Sequence, residues 1–80
     1  MAKVVFPDHL LSHTGGTREI AVEAKNFRGI VREVDSRWPG MEAVLMKTAV
    51  AIDGQIYQDA WLEPVGPDSE VFFMQRIEGG

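Results

Sequence analysis

The sequence of 80 residues contains no cysteine. That absence excludes disulfides, thiolate metal sites, iron–sulfur clusters and a cysteine nucleophile. No run approaches the roughly 20 apolar residues that a membrane-spanning helix needs. No basic run is present either, and 8 Lys and Arg face 12 Asp and Glu, a formal net charge of −4. Such a chain is poorly matched to a phosphate backbone, so DNA or RNA recognition is not expected. The N-terminus offers one lysine before Pro7-Asp8, which is not the pattern of a signal peptide; the expected address is the cytoplasm. Repeats and low-complexity stretches are lacking as well. What remains is 45% hydrophobic and 25% charged, the composition of one small soluble domain near the size at which a single core becomes hard to stabilise.

Short β-rich runs and one change of period organise the chain. Lys3-Val4-Val5-Phe6 reads as a strand stopped by Pro7-Asp8, and residues 7–16 as a loop. Residues 17–24 alternate, with Ile20, Val22 and Ala24 on one face and Glu19 and Glu23 on the other, which predicts a half-buried strand. Phe27, Ile30, Val31, Val34 and Trp38 then follow the spacing of one helix face, with Asn26 as N-cap and Pro39-Gly40 as the stop. Gly29 weakens that helix by up to about 1 kcal/mol relative to alanine. Residues 41–46 are either another helical turn or irregular chain. Thr48–Ile52 and Gln55–Tyr57 read as strands around an Asp53-Gly54 turn, residues 58–69 as a connection of turns, and Glu70–Gln75 as a central strand.

This order predicts an α+β fold, in which one amphipathic helix covers one face of the sheet and leaves the other open. If Val71 and Phe73 face the helix, Phe72 and Met74 point to the open side. An apolar patch there suggests a docking partner.

The chain given ends Gly79-Gly80, with only Arg76-Ile77-Glu78 between it and the last strand. Two residues without Cβ make a thin thread. Four or five extended residues reach about 15 Å. Such a thread can pass through a narrow tunnel in another protein and present its terminal carboxylate to that protein's catalytic groups. A free carboxylate is a poor electrophile, and joining it to AMP supplies a good leaving group. The tail therefore suits a carried substrate, and no residue set supports an enzyme.

The sequence resembles the MoaD/ThiS family of ubiquitin-like sulfur carriers over essentially its whole length. The resemblance rests on Val4-Val5-Phe6, Arg37-Trp38-Pro39-Gly40, Asp53-Gly54, and Pro67 to Phe73 leading to Gly79-Gly80. His13-Thr14-Gly15-Gly16 is similar to a loop of carriers serving cysteine biosynthesis, whereas Ser69 and Met74 to Glu78 depart from the usual pattern. The resemblance implies a β-grasp fold with a mixed sheet of four to five strands, in a domain of residues 1–75 with a tail of 76–80. It also implies an E1-like enzyme that adenylates Gly80 with ATP and magnesium, a thiocarboxylate, and a sulfur-accepting synthase subunit as in molybdopterin synthesis. Gly79 is then the spacer, with Phe72, Met74 and Ile77 as docking residues. Two alternatives are a protein modifier that forms isopeptide bonds through Gly80 and an interaction module with an inert tail.

Other constellations are weaker. His9 and His13 are four apart but lie in a loop without a third ligand, so no metal site is expected. Asp8, Ser12 and His13 hold the letters of a hydrolytic triad without its geometry. Gly15-Gly16 lacks the spacing and lysine of a phosphate loop. Trp38 and Trp61 read as packing anchors, and Asp68 and Glu70 as residues that orient the last turn.

Overall fold

A computed structural model describes residues 1–76 of the chain; Ile77, Gly79 and Gly80, singled out above, lie outside the described residues. Five strands form one sheet: β1 (Ala2–Val5), β2 (Glu19–Val22), β3 (Ala49–Ile52), β4 (Gln55–Tyr57) and β5 (Glu70–Met74). Their spatial order is β2-β1-β5-β3-β4. The β1–β5 pair is parallel and the other three pairs are antiparallel, so the sheet is mixed with β5 at its centre. The expected central place of the last strand is observed, and the sheet has five strands.

Helix α1 (Phe27–Arg37) starts at Asn26, whose side chain accepts from the Gly29 N–H. Its buried residues are Phe27, Ile30, Val31 and Val34, four of the five residues of the predicted apolar face; the fifth, Trp38, is the C-cap and is partly buried. They pack on Val4, Phe6, Val22, Val50, Ile52, Val71 and Phe73 from the sheet. Aromatic rings tie the layers together: Phe6 lies 5.9 Å from Phe73 and 5.7 Å from Trp38, and Phe27 lies 5.7 Å from Phe73. Offset and edge-on pairs of this kind add to the burial of their area. Trp38 and Trp61 are partly buried against this core, as packing anchors. A short helix α2 (Met41–Leu45) occupies the stretch that the sequence left open, and buries Met41 and Leu45.

Gly29 has a role that propensity does not reveal. A Cβ at this position would stand 3.1 Å from the Ala24 Cβ, so the close approach of the preceding chain offsets the helical penalty.

The differences from the sequence reading have local causes. β1 ends at Val5 rather than Phe6, because Pro7 has no N–H to continue a ladder, although the Phe6 N–H still bonds the Arg18 carbonyl at 2.8 Å. β2 is trimmed to the four residues that pair with β1, from Ala2↔Val22 to Val5↔Glu19. β3 starts at Ala49 and β5 stops at Met74, each one residue inside its expected span. The loop 7–16 contains a 3-10 turn at Asp8–Leu10 and buries Leu10 and Thr14. The Thr14 hydroxyl donates to the Thr17 carbonyl at 2.8 Å, which satisfies it inside the fold.

Candidate functional site

Residues paired directly across strands share a face. The register therefore lays one row across the uncovered side of the sheet: Glu19, Val5, Phe72, Ala51 and Ile56. Phe72 sits in the middle of this row at 38% exposure, and Ile56 at the β4 end reaches 62%. Val71 and Phe73 point the other way and are 0% and 3% exposed. The alternation expected for β5 is thus observed. Met74, opposite Ala49, is half-buried and continues the apolar surface toward the end of the strand. Lys3 and Glu19 pair at 3.7 Å across β1 and β2, a charged margin to the patch.

Val5, Ala51 and Ile56 were not among the docking candidates. The signal for Ile56 was present, since a two-residue Asp-Gly turn sets Ala51 opposite Ile56 once Ile52 pairs with Gln55. Its exposure depends in addition on β4 being an edge strand, which periodicity does not reveal.

The start of β5 is fixed by a polar clamp. Asp53 (φ 50°) and Gly54 (φ 86°) both adopt the left-handed region, as a type I′ hairpin turn requires. Asp53 Oδ1 accepts from the Glu70 N–H at 2.9 Å, and Oδ2 from the Ser69 hydroxyl at 2.8 Å. Ser69 Oγ also accepts from the Gly66 N–H at 2.8 Å. The orienting groups are thus Asp53, Ser69 and the backbone of Glu70. Asp68 and the Glu70 carboxylate, assigned that work above, make no side-chain hydrogen bond among the described residues. The Glu70 N–H, then the Ser69 hydroxyl, hold the Asp53 carboxyl below its ordinary value of 3.8, against a smaller opposing effect of burial.

Two expectations follow for this clamp. The depressed folded pKa means that the Asp53 contribution is fully present above the unfolded value and is lost as pH falls through the folded one. Stability measured by urea titration should therefore drop below about pH 4 less steeply in Asp53→Asn than in the parent. Ser69→Ala removes a buried hydroxyl with two partners and should destabilise by about 1–2 kcal/mol in the same titration.

The remaining candidates are dispersed. The Asp8 carboxylate is paired with Arg18, while Ser12 and His13 are exposed on the following turns. Arg76, assigned to the tail, donates from Nη2 to the Gln58 carbonyl at 2.7 Å, so the described chain is still tied to the domain at that point. Among the described residues, no helix is long and apolar enough to cross a membrane.

No protein-family model matches the chain, and no curated protein matches it in sequence. Solved structures do match in shape. The Amycolatopsis orientalis BexX/CysO complex contains a chain that superposes with a TM-score of 0.86 at 21% identity, covering 100% of both chains. Mycobacterium tuberculosis CysO, described as an antigen, gives 0.85 at 12% identity over 96% of this chain and 100% of that one. The small archaeal modifier protein 1 of Methanosarcina acetivorans gives 0.81 at 14% identity over 99% and 95%. With its five-stranded mixed sheet and one main helix on a single face, the chain has the ubiquitin-like β-grasp fold, the fold implied by its resemblance to the MoaD/ThiS carriers.

Proposed function

We propose that this protein is a sulfur carrier whose C-terminal Gly80 is adenylated and then converted to a thiocarboxylate. The supporting observation is the placement of Phe72: an exposed apolar patch runs along β5, the strand that leads directly into the segment ending Gly79-Gly80. Docking on Phe72, Met74 and Ile77 lets a partner hold the domain while Gly79 passes a constriction too narrow for a side chain. The partners are an E1-like adenylating enzyme and a sulfur-accepting synthase subunit; the carrier itself is a co-substrate, acting in the cytoplasm.

The chemistry balances without a catalytic residue on this chain. A Gly80 carboxylate oxygen attacks the α-phosphorus of magnesium-bound ATP, and pyrophosphate leaves. Hydrosulfide adds to the acyl adenylate carbonyl, AMP leaves with its electron pair, and loss of the S–H proton gives the thiocarboxylate. The product thiocarboxylate is nucleophilic at sulfur and can be delivered to a cofactor or an amino-acid precursor.

A second reading is favoured by the likeness to a protein described as a small archaeal modifier. In that reading a lysine amine takes the place of sulfur and an isopeptide bond forms. Chain-dependent exchange of labelled pyrophosphate into ATP, with an E1-like enzyme of the source cell, tests the activation common to both. Exchange is expected, and its absence with every such enzyme would overturn the proposal. Tagged chain recovered from those cells should be free of protein adducts; a ladder of lysine adducts would favour the modifier.

A further inference from the structure

At the end of the sheet where β5 finishes lies an open cleft, away from the Phe72 row. It is formed by the turns after β1, by α2 and by the residues following β5. Leu10 and Val44 lie along it, and His9, His13, Lys47 and Arg76 surround them. No acidic residue is among the described residues that line it, in a chain where acids outnumber bases 12 to 8. Of the other six Lys and Arg residues, Lys3, Arg18 and Arg37 pair with Glu19, Asp8 and Glu33, and Lys25, Arg28 and Arg32 are exposed outside this cleft. Among the described residues, neither Lys47, Arg76 nor either histidine has a carboxylate within ion-pair distance. Arg76 is partly committed to the Gln58 carbonyl, and its Nε is shielded from solvent without an acceptor among the described residues. Cationic and hydrogen-bond-donating groups thus converge on a cleft of about 570 Å³, open to solvent and ending at the root of the C-terminal segment.

We propose that this cleft receives an acidic segment, a loop bearing Asp or Glu, of the adenylating partner. The inference rests on the carrier reading and adds a second attachment point to the apolar patch. Charge complementarity supports this occupant: carboxylates would supply acceptors to Lys47, Arg76 and the imidazoles, and the partner's side chains would rest on Ala43 and Val44. A segment held there is adjacent to Gln75 and Arg76, so it helps to set where the following residues enter the partner. Such a contact acts chiefly through encounter rate and register.

The test uses the full chain and its His13→Glu/Lys47→Glu variant, both positions being exposed at the surface. Amide chemical shifts are followed while acetylated hexaglutamate is added at low salt, with hexaserine and inorganic phosphate as parallel probes. Saturable shifts confined to residues 8–14, 43–48 and 75–76, abolished in the variant and not produced by hexaserine, are expected. Shifts scattered over the surface, equal binding by the variant, or phosphate binding as tight as the peptide would overturn the proposal. With the adenylating enzyme, the variant should raise KM by about 5- to 10-fold and leave kcat unchanged. An unchanged KM overturns the cleft assignment while leaving the carrier reading in place. If no such enzyme activates the parent chain, the carrier reading fails, and the peptide titration still decides whether the cleft binds acidic segments.

Discussion

Phe73→Ala is expected to destabilise the domain by about 3–5 kcal/mol, a large share of its total stability. Phe73 is 3% exposed, and its ring, in the sheet layer, packs against that of Phe6 just past β1 and that of Phe27 in the helix layer. Truncation leaves a hole between these layers that the paired strands cannot close. A domain of this size has about 4–12 kcal/mol of total stability. The adjacent Phe72→Ala is expected to behave differently. Phe72 lies on the uncovered face at 38% exposure, so its loss should lower the unfolding free energy by less than about 1 kcal/mol. It should instead weaken binding to the proposed adenylating partner by at least about tenfold, the scale of an aromatic anchor in an interface. Urea titration and partner affinity measured on both variants separate core from docking surface along one strand. Equal destabilisation by both substitutions would contradict the assignment of faces.

The second large effect concerns the end of the chain. Removal of Gly79 and Gly80 should abolish activation, by about 10³-fold or more, and leave the urea midpoint unchanged. Two extended residues span about 7 Å, and displacement of a reacting group by even 1 Å can lower a rate by about 10²-fold. Gly79→Val should have a similar effect for another reason, because its branched side chain meets the walls of a channel shaped for bare backbone. Adenylation rates for the deletion and for Gly79→Val, beside their denaturation curves, check both statements. Activation that survives the deletion would mean that the carboxylate of Gly80 is not the group activated, and activation that survives Gly79→Val would contradict the narrow channel.

Much of this arrangement could be read from residue spacing. Phe27, Ile30, Val31 and Val34 recur at helical intervals and all are buried on α1. The alternation of Val71, Phe72, Phe73 and Met74 separates the two faces of β5 as observed. Asp53-Gly54 between two apolar runs marks a hairpin, and both residues adopt the positive φ that its turn needs. The fold follows from these periodicities because each reports which side of an element meets the core.

The parts that were not legible depend on contacts between segments distant in sequence. The Asp53 carboxylate reaches Ser69, 16 positions away, and nothing in a turn motif announces a clamp on another strand. Ile56 joins the exposed row of Phe72, across Ala51, only through the β3–β5 register and the edge position of β4. Leu10 and Thr14 looked like loop residues, since a stretch with glycines and no periodicity gives no hint that it folds back onto the core. The cationic cleft is assembled from three separate stretches, whose lysine, arginine and histidines are unremarkable one at a time.

Intact-mass measurement of the full chain after incubation with ATP, magnesium, the adenylating enzyme and sulfide reports directly on Gly80. The expected result is replacement of one oxygen by one sulfur, dependent on ATP and absent from the chain lacking Gly79 and Gly80. An unchanged mass, in the presence of an enzyme that demonstrably consumes ATP with this chain, would contradict the assignment of the protein as a sulfur carrier.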